Sequence, residues 1–397
     1  RGRHGRAAGG LARRMDGFRP LDSLSALDAG DWDALHDGRN PFVSHAFLSG
    51  LETYGCLRED WGWQPRHFTL WDGDALVGAV PGYLKTNSHG EFVFDHAWAN
   101  AYARFGREYF PKWLVAVPYS PVTGPRLLAR EAEDRAALVA AMREQADRDG
   151  LSSLHVNFHP ENESAAFGED WLRREDIQYH WQNRGWPDFE AFLADLQPRK
   201  RKNIRQERAR VARDGFEFRC VHGDEASDDD LAAMHRFYLR TFAAYGNHPA
   251  LTLDFLRHLA TAMPRSLLLV LAEREGDTVA GALCLRGRDR LYGRYWGCLD
   301  EVPAPGLHFE TCYYQGIDYC LREGLQVFEP GAQGEHKIAR GFLPSPTRSH
   351  HWIAHPDFAG ALARWCAEEA DATRAYARRL MRHSPYRELP ADPPPAS

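Results

Sequence analysis

Apolar residues recur along this chain at two spacings, and the switches between them mark its elements. Spacings of three and four predict helices over residues 228–245, 252–262, 307–322 and 358–380. Short apolar runs bounded by Gly, Asp and Arg predict strands over 267–273, 278–285, 290–299, 326–329 and 347–354. Residues 335–342 read as a short helical or looped segment between the last two strands. Order and lengths imply a mixed sheet with helices on both faces.

The pattern occurs twice. Gly73-Asp74-Ala75-Leu76-Val77-Gly78-Ala79 follows the apolar run 67–71, and Gly276-Asp277-Thr278-Val279-Ala280-Gly281-Ala282 follows the run 267–272. Each reads as strand, tight turn, strand. Arg148-Asp149-Gly150-Leu151 then closes a helical pattern before the run 154–158, as Arg322-Glu323-Gly324-Leu325 does before Val327-Phe328. Two echoes in the same order predict a duplicated α/β unit whose halves share one strand order. Between these landmarks the first half carries 29 more residues than the second. The extra stretch interleaves His96, Trp98, Tyr102, Tyr109, Phe110 and Trp113 with Pro and Gly, which predicts a packed irregular wall.

Between the halves lies PRKRKNIRQERARVARDG, residues 198–215. Proline at its start and glycine at its end bound a helix. Ile204 and Val211 form one apolar line, and Arg201, Arg205 and Arg208 form a row beside it. Eight of these residues are Lys or Arg, although the chain as a whole carries net charge −6. If the row faces a groove, its charges need an anion to relieve their repulsion. The expected ligand groups are phosphates, with Arg199, Lys200, Arg201, Lys202, Arg205 and Arg208 as contacts. The plain alternative is a solvated charged helix.

At 397 residues the chain is long enough for two cores. The expected layout is a disordered extension over 1–14, a first domain over 15–197, the basic helix over 198–215, a second domain over 216–389 and a disordered tail over 390–397. The arginine-rich start lacks the apolar stretch of a secretory signal, and no run approaches the roughly 18 apolar residues of a membrane helix. Seven cysteines without a CxxC pair point to a reducing, cytoplasmic setting. His350, His351 and His355 alternate across a strand with no carboxylate or thiolate beside them, so no metal is expected. No Gly-x-Ser-x-Gly elbow is present, which argues against a hydrolase triad.

The second half resembles the GNAT acyltransferase core, an antiparallel meander followed by a helix and a parallel strand. That resemblance implies an acyl donor held where strand 292–299 and strand 326–329 part, with its phosphates on the helix start at Gly306-Leu307-His308-Phe309-Glu310. Glu310 there would repel a phosphate. The strings NPFVSHAFLSGLE from Asn40, GEFVFDHAWANAY from Gly90, PYSPVTGPRLL from Pro118, RKRKNIRQER from Arg199, YGRYWGC from Tyr292, LHFETCYYQGIDYC from Leu307 and GAQGEHKIARGFLP from Gly331 resemble the FemAB-like N-acyltransferases. The resemblance implies an α/β (α+β) fold of two tandem GNAT-like domains joined by the basic helix. It implies transfer of an acyl or aminoacyl group to an amine. The donor would be acyl-CoA or an aminoacyl-tRNA, with no permanent cofactor, and the partner a phosphate-bearing precursor rather than DNA. A non-catalytic module binding an anionic metabolite on the same fold is the other reading. Relatives carry a lysine about three residues before a Gly-Phe-type turn, the position of Ala339; here Lys337 or Arg340 fills that role.

Acyl transfer to an amine needs a proton acceptor and a stabilised oxyanion. Glu329 at the end of a cleft-bordering strand is the expected base, with an ion pair to a basic neighbour as its plain alternative. His336 and Lys337 complete the catalytic set, and His308, Gln333, Gly334 and Arg340 the phosphate contacts. Tyr295, Trp296, His96 and Trp98 are expected to wall the cleft.

Overall fold

The computed structural model describes residues 17–299, 305–332 and 334–388. The expected disordered ends at 1–14 and 390–397, and Gln333, lie outside these. The chain forms two compact units, the first from residues up to Asp176 with Pro346–Arg374, the second from Ile177–Ser345 with the residues after Arg374. The basic helix Pro198–Arg213 counts with the second.

The repeat is plain in the strand pairing of each unit taken by itself. In the first, Phe18–Leu21 pairs antiparallel with His67–Asp72, which pairs antiparallel with Ala75–Val80. Past Pro81 the chain resumes as Gly82–Lys85 beside Lys112–Val115, and that strand runs parallel to Ser153–Asn157. In the second, Phe216–His222, Leu267–Arg274, Asp277–Arg286 and Arg290–Cys298 form the same antiparallel series, followed by parallel Val327–Glu329. Gly78 and Gly281 both lie on the strand after the hairpin, but the strand of Gly281 is flanked on both sides, whereas that of Gly78 is the edge of a three-stranded sheet and the series continues only past Pro81.

The last strand of each unit comes from the other half of the chain. Trp181 and Gln182, at the end of Leu172–Gln182, pair with Phe328 and Val327 in the second unit. Ser349–Ile353, from Leu343–Ile353, pair with Asn157–Ser153 in the first. Each unit buries its own apolar core. One holds Phe68, Trp113, Leu138 and Trp352, and the other Trp181, Phe192, Tyr314 and Phe328.

The extra stretch of the first half is packed, as its aromatics imply, and it encloses charge. Lys112 is fully buried, donating to Glu91 at 2.7 Å and to Asp95. Tyr109 donates to Asp95 at 2.7 Å, and its oxygen lies 3.2 Å from Nε2 of His155. Nδ1 of His155 faces Nδ1 of His351 at 2.6 Å, so one ring donates and the other accepts. On the opposite face His159 meets His350 at 2.7 Å, the separation that strand alternation dictates. Burial pushes His155, His159 and His350 down to about 3, and His180 in the second unit to about 4.

The pH dependence of stability follows. The unfolded chain takes protons onto these rings below pH 6.5 and the native state excludes them. Unfolding therefore binds protons between about pH 6.5 and about 3–4. Stability falls with pH there, by up to about 1.4 kcal/mol per pH unit for each ring. Urea unfolding at pH 7 and pH 5 measures the loss. A His159→Gln, His350→Gln variant should show a flatter dependence, and an unchanged slope would refute the assignment.

Candidate functional site

The basic helix Pro198–Arg213 begins with proline at its first turn and buries Ile204 and Val211, its apolar line. Its charges divide by direction. Glu207 and Arg208 turn inward, onto the helical stretch that runs through Leu307–Phe309, Glu310–Tyr314 and Gln315–Glu323. Arg208 grips Glu310 with Nε at 3.1 Å and a terminal nitrogen at 3.0 Å, and lies 4.3 Å over the ring of Phe189. Gln315 donates to the same carboxylate at 2.8 Å. The repulsion expected between Glu310 and a phosphate at this helix start is thereby cancelled by a charge-assisted fork.

Arg340 makes the companion link. It donates to Glu207 at 2.7 Å, to the hydroxyl of Tyr314 at 3.0 Å and to the carbonyl of His336 at 2.9 Å, and stacks 3.4 Å over Phe309. Tyr314 also donates to Glu207. The middle turn of that helical stretch, Glu310–Tyr314, is a π-helix, whose wider turn brings Tyr313 beside His336 and Tyr314 beside Glu207.

Strand Arg290–Cys298 pairs in parallel with Val327–Glu329 only from Arg290 to Tyr292. Beyond Tyr292 and Glu329 the strands part, where the resemblance to the GNAT core places the opening. On the other edge the register slips beside Cys284, leaving Arg294 as a bulged residue next to the parting point. Glu329 is buried, its Oε1 held by Arg290 at 2.6 Å. Its Oε2 lies 3.8 Å from Nε2 of His180 and has no hydrogen-bond partner. The ion-pair alternative for Glu329 is thus real, with Arg290 as the partner, and it leaves one oxygen open.

After Glu329 the chain turns through Gly331 and Gly334, with φ of 102° and 117°, into the 3-10 helix Glu335–Arg340, closed by Gly341 at φ 98°. Side chains rarely adopt these angles, and a Cβ on Gly334 would lie 2.5 Å from the His336 ring. This loop buries Lys337, whose ammonium donates to the carbonyl of Gly331 at 2.8 Å. Burial pushes its pKa down to about 8. Arg340 is fully engaged in packing, so Lys337 is the cation of this loop with donors to spare. Nε2 of His336 is 2.9 Å from the Tyr313 hydroxyl. His308 lies edge-on to Trp296 and Tyr313, and burial with nearby positive charge pushes it down to about 4.

The structure gathers Glu329, His336, Lys337, His308, Arg340, Gly334, Tyr295 and Trp296 on neighbouring elements of the second unit. It separates others. Trp98 is a buried core residue of the first unit, edge-on to His351 and Trp365, and not a wall; His96 stacks on Phe94 in that unit. The row Arg201, Arg205 and Arg208 does not stand bare before a groove. Arg208 is taken by Glu310 and Arg205 by Glu190, so the expected need for a bound anion fails for two of the three. Arg199 and Lys202 are exposed, and Lys200 and Arg201 half-buried. Arg290, His180, Tyr313 and Glu207 were not foreseen. Glu207, the lone carboxylate within the helix proper, was the one legible signal.

Comparison with known proteins bears on the family and the fold. The sequence matches the FemAB-like family, described as peptidoglycan biosynthesis/recognition, over residues 23–388. The C-terminal domain of a putative lysylphosphatidylglycerol synthetase from Agrobacterium fabrum is 13% identical, with 87% of this chain and 97% of that one covered and a TM-score of 0.51. FemX is 10% identical, with 84% and 97% covered and a TM-score of 0.51. At such identities the likeness speaks for the fold alone. No curated protein sequence matches. With the family match running through nearly all of both units, the chain belongs to the FemAB-like family of peptidoglycan biosynthesis/recognition proteins.

Proposed function

We propose that the second unit is the catalytic half of an N-acyltransferase that moves an activated acyl or aminoacyl group onto an amine connected with cell-wall precursor metabolism. The observation that carries this reading is the parting of the strands after Tyr292 and Glu329, with the open oxygen of a buried carboxylate at its edge. The family match supports the transferase class and the cell-wall connection. Acyl-CoA and aminoacyl-tRNA are the donors considered, and a cytoplasmic setting accords with the reduced cysteines. No helix among the described residues is long and apolar enough to cross a membrane.

In this mechanism the neutral amine attacks the donor carbonyl and forms the new C–N bond. Oε2 of Glu329 takes the amine proton, directly or through one water. Arg290 holds the other oxygen and keeps the carboxylate oriented. His180, pushed down to about 4, stays neutral and does not compete for the proton. Lys337, with one donor on Gly331, directs another at the oxyanion that develops on the carbonyl. The tetrahedral intermediate collapses, the bond to the leaving thiolate or alkoxide breaks, and the proton on Glu329 passes to it. With Arg208 neutralising Glu310, the helix start at Gly306 is compatible with donor phosphates.

Two outcomes test the roles separately. Glu329→Gln keeps an oxygen for Arg290 but leaves its charge uncompensated, so the variant should melt at a lower temperature, while kcat measured well below that melt falls by roughly 10²–10⁴-fold. Wild-type turnover in that variant would remove Glu329 as the base, whereas no turnover by the unmutated protein with either donor would leave the binding-module reading standing. Lys337 remains an ammonium below about pH 8 and loses its charge above it. The pH profile of kcat should therefore fall on its alkaline side from about pH 8. Lys337→Met should lower kcat by roughly 10²-fold and abolish that limb. A limb that persists in the variant assigns the titration to another group.

A further inference from the structure

We propose that the outer face of the basic helix is an electrostatic docking surface for an anionic lipid bilayer. Arg199, Lys202, Arg210 and Arg213 follow one another at steps of three and four about Gln206, so they form a single stripe along the helix. All four are exposed, and none has an ion-pair partner among the described residues. Elsewhere on this acidic chain some exposed arginines have such partners, as Arg58 has Asp60, Arg143 has Asp170, Arg257 has Asp228 and Arg374 has Asp371, while others, such as Arg104, Arg107 and Arg364, have none among the described residues. What sets the stripe apart is its density on one helix face; Arg205 and Arg208 are paired on other faces, and the one internal carboxylate, Glu207, turns inward to Arg340. Only Asp214, just past the helix end, follows the stripe with opposite charge.

Like charges at these spacings repel, and among the described residues no carboxylate pairs with them. An external anionic partner would. From Arg199 to Arg213 the stripe runs about 21 Å along the helix. The shallow groove beside it is lined by Pro198, Arg201, Lys202, Arg205, Gln206 and Ala209, all from the helix itself. It therefore has no second wall to enclose a strand of nucleic acid, and the helix carries no aromatic ring on which a base could stack. A planar anionic surface asks only for a row of cations at one height. The absence of large apolar residues from the exposed face, where only Ala209 and Ala212 are apolar, predicts adsorption at the headgroups without insertion.

Co-sedimentation of the full chain with vesicles tests this. At physiological ionic strength the protein should pellet with vesicles of phosphatidylglycerol and phosphatidylcholine and stay in solution with phosphatidylcholine alone. Each stripe cation removed should weaken partition roughly fivefold. The variant Arg199→Gln, Lys202→Gln, Arg210→Gln, Arg213→Gln should then lose roughly 10²-fold or more, with its thermal melt unchanged. A charge-matched control, Arg58→Gln, Arg143→Gln, Arg257→Gln, Arg374→Gln, removes paired cations and should partition much as wild type does. Failure to pellet, equal binding to uncharged vesicles, or equal losses in the two variants would overturn the proposal. Release from the vesicles by a lower concentration of bulk tRNA phosphate than of lipid phosphate would overturn it in favour of RNA. None of these readouts depends on transferase activity.

Discussion

The guanidinium of Arg340 holds the candidate site together. It spans the carboxylate of Glu207 on the basic helix, the hydroxyl of Tyr314 in the π-helical turn and the ring of Phe309, while its own backbone lies in the loop that carries Lys337. Three elements distant in sequence meet on one side chain. A planar, permanently charged fork can do this where a lysine could not, because the donor directions are fixed relative to one another. The parallel link from Arg208 to Glu310 fixes the same helix one turn further along its partner. The placement of Lys337 thus depends on a polar clasp as much as on the apolar line of Ile204 and Val211.

That clasp also sorts the helix's positive charges into two populations. Residues that find carboxylates serve the architecture, and those on the outer stripe do not. Composition could not separate them, since both kinds are Arg and Lys in one continuous run. The separation comes from helix phase relative to Ile204, which decides which cations can reach Glu207's neighbourhood and which cannot.

Local pattern made much of the fold legible. The two Gly-Asp hairpins, the Arg-x-Gly-Leu helix ends and the boundaries of the basic helix are short-range features, and the chain honours them. Glu329 could be placed at a strand end for the same reason. Its partners could not, because Arg290 lies on the adjacent strand and His180 arrives on a strand from the other half of the sequence. The aromatic stretch showed its packing but not its contents. Nothing at the level of spacing tells that Asp95 and His96 face different environments, or that Lys112 would enter an interior beside two carboxylates.

The exchanged strands bear on how the chain is made. Ser349–Ile353 is needed to complete the sheet of the first unit, and these residues are synthesised long after Ser153–Asn157, the strand they pair with. Until they emerge, Ser153–Asn157 has an open edge, and the partner of His155 is missing from its buried row. The first unit therefore waits, incomplete, until the strand from the other half of the sequence has been made. A break in the chain anywhere between the two halves would leave both units short of a strand.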